Sequence, residues 1–578
     1  MATTTNGRAQ QLDAAMAAAE SLAPEVNTLL STVDPAGFGK ALVRTSWGVL
    51  ANPLGALVAW SRFATGMTLA GAATAARALG ADAQGPAQPQ PKDRRFADPT
   101  WTASPAYFML METYLLAARL VEDLIEVAQL DPTTRKKAEF AARQLVDAMA
   151  PTNTPINPVV MKRAYETGGL SLVRGMRNLL TDMADNNGLP QQVDRKPFKV
   201  GKNLGATRGK VVLRNELMEL MQYEPQTETV HEVPLLMSPP WINKYYIMDL
   251  APGRSFIEWA VKHGHTVFAI SYRNPDASMR DVKLDDYLLN GPHTALEAIE
   301  SITGTKATNI VGLCLGGSLT TMLCAWLAQN EPERINAVTL LNTLNDFREP
   351  GVLGTLTDEK TVAAIERQIL EKGFLDAQQL ATTFTMLRSN DLIWSYVVNN
   401  WMLGEDPPAF DILAWNADST RLPAAMQTFY LRSCYLRNDF AEGRMELAGQ
   451  HLDPKSIDQD LYVLTAIEDH IAPWKTAYQT TQVLPNAKTR FVLSSSGHIA
   501  GIVNPPSPKS SYWTGADGEL PYDPDKWLTR ATAHQGSWWE DWAEWIGARA
   551  GERVAPPPTG NEEYAPVEDA PGTYVFGT

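Results

Sequence analysis

A chain of 578 residues, 44% of them hydrophobic and 20% charged, exceeds one ordinary domain and has ample apolar material for a core. A formal net charge of −15 argues against nucleic acid as a partner. Three cysteines, Cys314, Cys324 and Cys434, supply neither a disulfide framework nor a metal-ligand spacing, and suit a reducing compartment.

Met1 to Glu20 is polar and alanine-rich, without a basic segment leading into an apolar core, so no signal peptide is expected. The longest apolar zone, Trp47 to Leu79, is interrupted by Pro53, Arg62 and Arg77, which argues against a transmembrane segment. Two readings stay open for it: ordinary helical packing, or contact with a lipid or polymer surface. Helical spacing then recurs over Ala106 to Ala128, Thr133 to Met149 and Asn157 to Asp185, so residues 1–200 are expected to form a helical N-terminal domain. A basic connector follows, with Arg195, Lys196, Lys199, Lys202, Arg208, Lys210 and Arg214. It is either a solvated linker or a patch that attracts an anionic cofactor tail.

The period changes near residue 210. Strands are expected at Lys210–Leu213, Leu217–Tyr223 and Glu232–Ser238, then a helix at Ser255–Lys262 and a strand at His265–Tyr272. A helix over Asp286–Ile302 leads to a buried strand ending Asn309-Ile310-Val311, a buried helix through Leu319–Leu327 and a strand at Ile335–Leu341. The alternation stops over 344–458 and resumes with a strand at Leu461–Thr465, a helix at Trp474–Val483 and a strand at Thr489–Leu493. This is an α/β pattern with a mostly parallel sheet over 201–578, and the 344–458 insertion is expected to cap the carboxyl ends of the strands. Trp538, Trp542 and Trp545 share one helical face and read as packing; the Pro/Gly-rich tail from Ala555 reads as irregular.

Between the buried strand and the buried helix stands Gly312-Leu313-Cys314-Leu315-Gly316-Gly317. A glycine–x–nucleophile–x–glycine run in that setting is the nucleophile elbow of an α/β-hydrolase fold, with cysteine where serine is usual. The tight turn should bring the positions two before and two after the nucleophile into near contact, which favours residues without Cβ. Nucleophile, acid and base follow in that chain order in this fold. Asp469 follows one later strand and His498 the next, so both fall at the right end of the sheet. The rival base, His470, adjoins Asp469 and cannot easily turn its ring toward both partners.

Acyl transfer also needs backbone donors for an oxyanion. Leu315, directly after the nucleophile, is expected to supply one. The other should come from Ser238–Asn243; Pro239 and Pro240 carry no N–H, and Ile242 is the expected donor. A thiolate attacking a thioester makes another thioester, which keeps the acyl group reactive toward an alcohol. Cys324 lies ten residues on, about 15 Å along a helix, so it and Cys434 are expected to be core. No metal site is expected.

These residues resemble the polyhydroxyalkanoate synthases of the class I, single-subunit type. The resemblance covers roughly 95–575 and rests on Arg95–Pro99, Pro239–Tyr246, the Cys314 elbow, Trp415–Thr420, Glu468–Trp474, Ser496–Gly501 and Ala570–Gly572. It implies polymerisation of (R)-3-hydroxyacyl-CoA into polyester with release of CoA, through an acyl-cysteine on Cys314. His498 would be the base, with Asp469 orienting it and activating the incoming hydroxyl. CoA is then a leaving group, and no cofactor is expected. A homodimer at the surface of cytoplasmic polyester granules, with phasin-like partners, is implied too. Ala500, two after His498, resembles the short-chain enzymes such as those using 3-hydroxybutyryl-CoA, and Trp241 falls at a variable pocket position. A thioesterase or intracellular depolymerase of the same fold is the alternative.

Overall fold

The computed structural model describes residues 35–91, 93–516 and 520–577. The signal-peptide reading of Met1 to Glu20 lies outside them. The chain forms two compact units: one runs through Asp194 and includes Ala381–Pro408, and the other comprises Arg195–Leu380 with Ala409 to the C-terminus.

The first unit is helical. Pro35–Ala51, Pro53–Ala78, Pro105–Val127, Pro132–Ala148, Pro158–Glu166 and Leu170–Asp185 are its main helices. Proline opens five of them, where its missing N–H has no intrahelical partner to lose. Asn52, Asp131 and Asn157 cap three, each side chain accepting from a first-turn amide at 3.0 Å. The single helix expected over 157–185 breaks at Gly168 and Gly169, whose φ of +55° and +85° only glycine adopts cheaply. Phe96, Trp101, Phe108 and Met111 form a core. Asp147 accepts from Arg95, Asn390 and Ser389 and so ties Ala381–Pro408 to these helices. Trp47 to Leu79 falls on the first two helices; among the described residues no helix is long and apolar enough to cross a membrane.

The second unit is built on a sheet that, among the described residues, holds eleven strands. They are β1 (Gly209–Arg214), β2 (Met218–Tyr223), β3 (Leu235–Ser238), β4 (Val267–Tyr272), β5 (Thr308–Leu313), β6 (Ile335–Leu341), β7 (Asp460–Ala466), β8 (Lys488–Ser494), β9 (Ser511–Thr514), β10 (Thr532–Gln535) and β11 (Glu568–Asp569). The spatial order is β10-β9-β8-β7-β6-β5-β3-β4-β2-β1-β11. Strands β4, β3, β5, β6, β7 and β8 run parallel, and the flanking pairs are antiparallel. Strands buried on both faces need continuous apolar runs rather than alternation, which is how β3, β4 and β5 read.

The helix expected over Asp286–Ile302 is interrupted at Gly291-Pro292, leaving Leu284–Leu288 and Thr294–Thr303. The tail also departs from its irregular reading. Its Glu568 and Asp569 pair with β1, and the carbonyls of Val575 and Gly577 accept from the buried ammonium of Lys244 at 2.7 and 2.6 Å. The same tail neutralises part of the basic connector: Lys210 pairs with Asp569 and Arg214 with Glu568, and Arg214 also pairs with Glu219 of β2. That favours a structural role for those two cations over an anion patch. Trp538 and Trp542 are buried as expected, while Trp539 is buried in place of Trp545, because the ring of Phe256 sits among all three at 4.5–5.3 Å.

Candidate active site

Chain order runs from β3 to β4 on one side and returns to β5 on the other side of β3, so the sheet's switch point lies between β3 and β5. Ligands bind at such crevices beyond the carboxyl ends of the strands. Cys314 immediately follows β5 there, with Gly312 in register with Ser238 at the end of β3.

Cys314 has φ +51° and ψ −116°, a backbone that residues with a Cβ rarely adopt. The strain is held from both sides: its N–H donates to Leu341 O at 2.8 Å, and its carbonyl accepts from Gly317 and Ser318 at 3.0 and 3.1 Å. It caps the helix Leu315–Leu327, whose N-terminal dipole favours negative charge at that point. Each elbow glycine meets a different neighbour. A Cβ on Gly316 would lie 2.1 Å from Ser238 O, one on Gly317 2.0 Å from Thr343 Oγ1, and one on Gly312 2.5 Å from Gly317 Cα. The expected near contact is therefore between Gly312 and Gly317, one position further on than the spacing suggested; Gly316 instead admits the β3 loop.

Asp469 follows β7 and His498 follows β8. Nδ1 of His498 lies 2.6 Å from Oδ2 of Asp469, with the carboxylate fully shielded from solvent. The other oxygen, Oδ1, accepts from the amides of Ile471 and Ala472 at 2.8 and 2.9 Å. The two loops are joined by Ile467 N–H to Ser494 O and Glu468 N–H to Ser496 O, both 2.9 Å. Behind the base loop, the indoles of Trp538 and Trp539 donate to the carbonyls of Gly501 and Ile502 at 2.8 and 2.9 Å.

Burial alone would lower the affinity of His498 for a proton. The Asp469 carboxylate at 2.6 Å, and after it the Cys314 sulfur, outweigh it and raise the imidazole to about 10. With Nδ1 engaged by Asp469, Nε2 is the ring atom left to face the sulfur. The arrangement can therefore hold an imidazolium beside an attacking sulfur, return that proton to a leaving group, and accept one from a later nucleophile.

The amide of Leu315, as a first helical residue, has no intrahelical acceptor. Ile242 is half-buried against the core on the loop after Pro239, whose carbonyl packs on Gly316. Trp241 is buried, its ring 5.3 Å from that of Tyr287 and 6.4 Å from that of Tyr430. Ala500 is exposed on the turn after His498. Cys324 and Cys434 are both buried in the core, and burial pushes the Cys324 thiol up to about 12.

Two phenols escaped the sequence reading. Tyr430 is buried and Tyr435 half-buried, with ring centres 5.5 Å apart, and both stand near Cys314. They come from 344–458, where no strand-helix alternation marks them. Asn342, buried at the end of β6, was missed as well: its side-chain amide donates to the carbonyl of His498. Among the described residues no group of three or more His, Cys, Asp or Glu side chains is placed to hold a metal ion.

Residues 92–260 match the family model described as poly-beta-hydroxybutyrate polymerase (PhaC) N-terminus, and residues 246–505 match that of the alpha/beta hydrolase fold. The poly(3-hydroxyalkanoate) polymerase of Methylorubrum extorquens is 42% identical over 540 residues, covering 93% of this chain and 89% of that protein. The poly(3-hydroxyalkanoate) polymerase subunit PhaC of Cupriavidus necator is 43% identical over 504 residues, covering 86% and 84%. Poly(3-hydroxyalkanoate) polymerase 1 of Ectopseudomonas oleovorans is 42% identical over 489 residues, covering 84% and 87%.

Proposed function

The chain belongs to the poly(3-hydroxyalkanoate) polymerase family, and from that premise we propose that it is an acyltransferase that polymerises (R)-3-hydroxyacyl-CoA into polyester through an acyl-cysteine on Cys314. The observation that carries the reading is the Asp469–His498 pair at 2.6 Å, delivered by the loops after β7 and β8, with Cys314 on the strained turn that ends β5.

The thiolate of Cys314 attacks the thioester carbonyl, and the oxyanion is met by the amide of Leu315 and, from the β3 loop, that of Ile242. The intermediate collapses by breaking the bond to CoA sulfur, which leaves as a thiol with the proton of His498. The 3-hydroxyl of a second unit then attacks the acyl-cysteine. His498, oriented by Asp469, takes the hydroxyl proton, an ester bond forms, and the Cys314 sulfur is released. The shielded carboxylate keeps the ring ready for both proton movements.

Short-chain monomers are the proposed substrates. Buried Trp241 and Tyr430 and half-buried Tyr435, bulky side chains near one another, support this, as does the small residue at Ala500 on the turn after His498. A cytoplasmic homodimer at the granule surface is proposed on the family resemblance. Exposed Leu54, Leu57, Trp60 and Leu69 on the helix Pro53–Ala78 support the granule contact.

The test is an assay of the purified chain with (R)-3-hydroxybutyryl-CoA, following thiol release and identifying the acyl product. Polymer supports the proposal. Free hydroxyacid indicates a thioesterase, and absence of CoA release contradicts both.

A further inference from the structure

Strand β6 ends at Leu341, and the next residue does three things at once. Asn342 is fully buried, with φ +45°, a left-handed conformation that asparagine tolerates better than most side chains. Its own N–H donates to Leu464 O at 2.8 Å, on β7, the strand that delivers Asp469. Its Nδ2 donates to the backbone carbonyl of His498. The residue before it, Leu341, accepts the amide of Cys314 at 2.8 Å. One dipeptide thus holds the backbone of the nucleophile and of the base, and is itself bonded to the strand that carries the acid.

The direction of the side-chain bond is fixed by chemistry. A carbonyl acceptor requires the NH2 end of the amide, because the Oδ1 end would place two acceptors face to face. Oδ1 then has no partner among the described residues, although it is buried. Burying an unsatisfied acceptor costs free energy, so the donor end is kept there at a cost that a simple apolar filler would avoid. The turn from Gly497 to Gly501, closed by a 2.7 Å bond, fixes the base loop internally but not against the elbow. Asn342 supplies that link.

We propose that Asn342 is a positioning residue that sets the backbone of His498 at the distance from Cys314 at which the ring and the sulfur engage. The inference rests on the reading of His498 as the base and adds to it the group that holds the base in register. Losing the link leaves the triad residues present but lets the His498 loop drift, and small displacements of a reacting group are costly.

The test uses the full-length chain and the rate of iodoacetamide alkylation of Cys314 across pH, read by peptide mass, alongside kcat and KM. His498→Gln is the reference for a sulfur without its base. Asn342→Gly removes the side chain while tolerating the φ of +45°. Asn342→Asp keeps the shape but removes the donor, and carries the test if the glycine variant does not fold. The expected result is a fall in kcat of about 10- to 100-fold, KM within about twofold of wild type, and an alkylation profile shifted toward that of His498→Gln. A folded variant with wild-type kcat and profile overturns the proposal. So does one whose melting temperature falls while kcat and profile stay put, since that is a purely structural role. If wild type and His498→Gln share one profile, the reading of His498 fails and this inference falls with it.

Discussion

His498 Nδ1 lies 2.6 Å from Asp469 Oδ2, while Asp469 Oδ1 is held by the amides of Ile471 and Ala472. The carboxylate cannot rotate without giving up those two bonds, so its orientation is fixed before any substrate arrives. Asp469→Asn keeps the shape but removes the charge that stabilises the imidazolium. It is expected to lower kcat by about 10²–10⁴-fold with little change in KM. Steady-state kinetics check this; a variant within a few-fold of wild type would contradict the role.

The same pair gives a pH signature in stability. The imidazole of His498 is raised in the folded chain to about 10, from an ordinary value near 6.5. A raised group stabilises the fold fully below its unfolded value and loses that contribution as pH rises through the folded one. The melting temperature of wild type relative to His498→Gln should therefore be greatest below about pH 6.5 and shrink toward pH 10. Thermal melts of both proteins across that range test it, and a difference that grows with pH would contradict it.

The glycines of the elbow make a steric prediction. A methyl at Gly316 would lie 2.1 Å from Ser238 O, and one at Gly312 2.5 Å from Gly317 Cα; both neighbours are backbone and cannot swing aside. Gly316→Ala is expected to push the β3 loop, with Ile242, away from Cys314 and to abolish turnover while the protein remains folded. Gly312→Ala, inside the strand-to-helix turn, is expected to lower the melting temperature as well. Circular dichroism melts beside the CoA-release assay separate the two.

The three thiols should differ sharply. Cys314→Ala is expected to abolish turnover. Cys324→Ala and Cys434→Ala should retain it, with a loss of stability of about 1 kcal/mol each from the small cavities left in the core. Kinetics and chemical denaturation of the three variants check this. A folded Cys324→Ala protein without activity would contradict the single-thiol account.

The parallel sheet was legible because its central strands are continuous apolar runs between helical spacings, and the loops after β5, β7 and β8 carried recognisable chemistry. Helix interiors were read less well: the breaks at Gly168-Gly169 and at Gly291-Pro292 lie within stretches whose apolar spacing is uninterrupted. The edge strand Glu568–Asp569 has no strand-like composition; it exists because Lys210 and Arg214 offer it partners across β1. Tyr430, Tyr435 and Asn342 reach the site by tertiary contact alone. No local pattern distinguishes an asparagine that holds a distant carbonyl from one that ends a strand.

The most direct test is to trap the covalent state. The purified chain, mixed with (R)-3-hydroxybutyryl-CoA and quenched within a turnover, should carry 3-hydroxybutyryl units on the peptide containing Cys314, in whole-number multiples of one unit, with CoA released in step. The Cys314→Ala protein should carry none. Turnover with an unmodified Cys314, or units attached to another residue, would contradict the account.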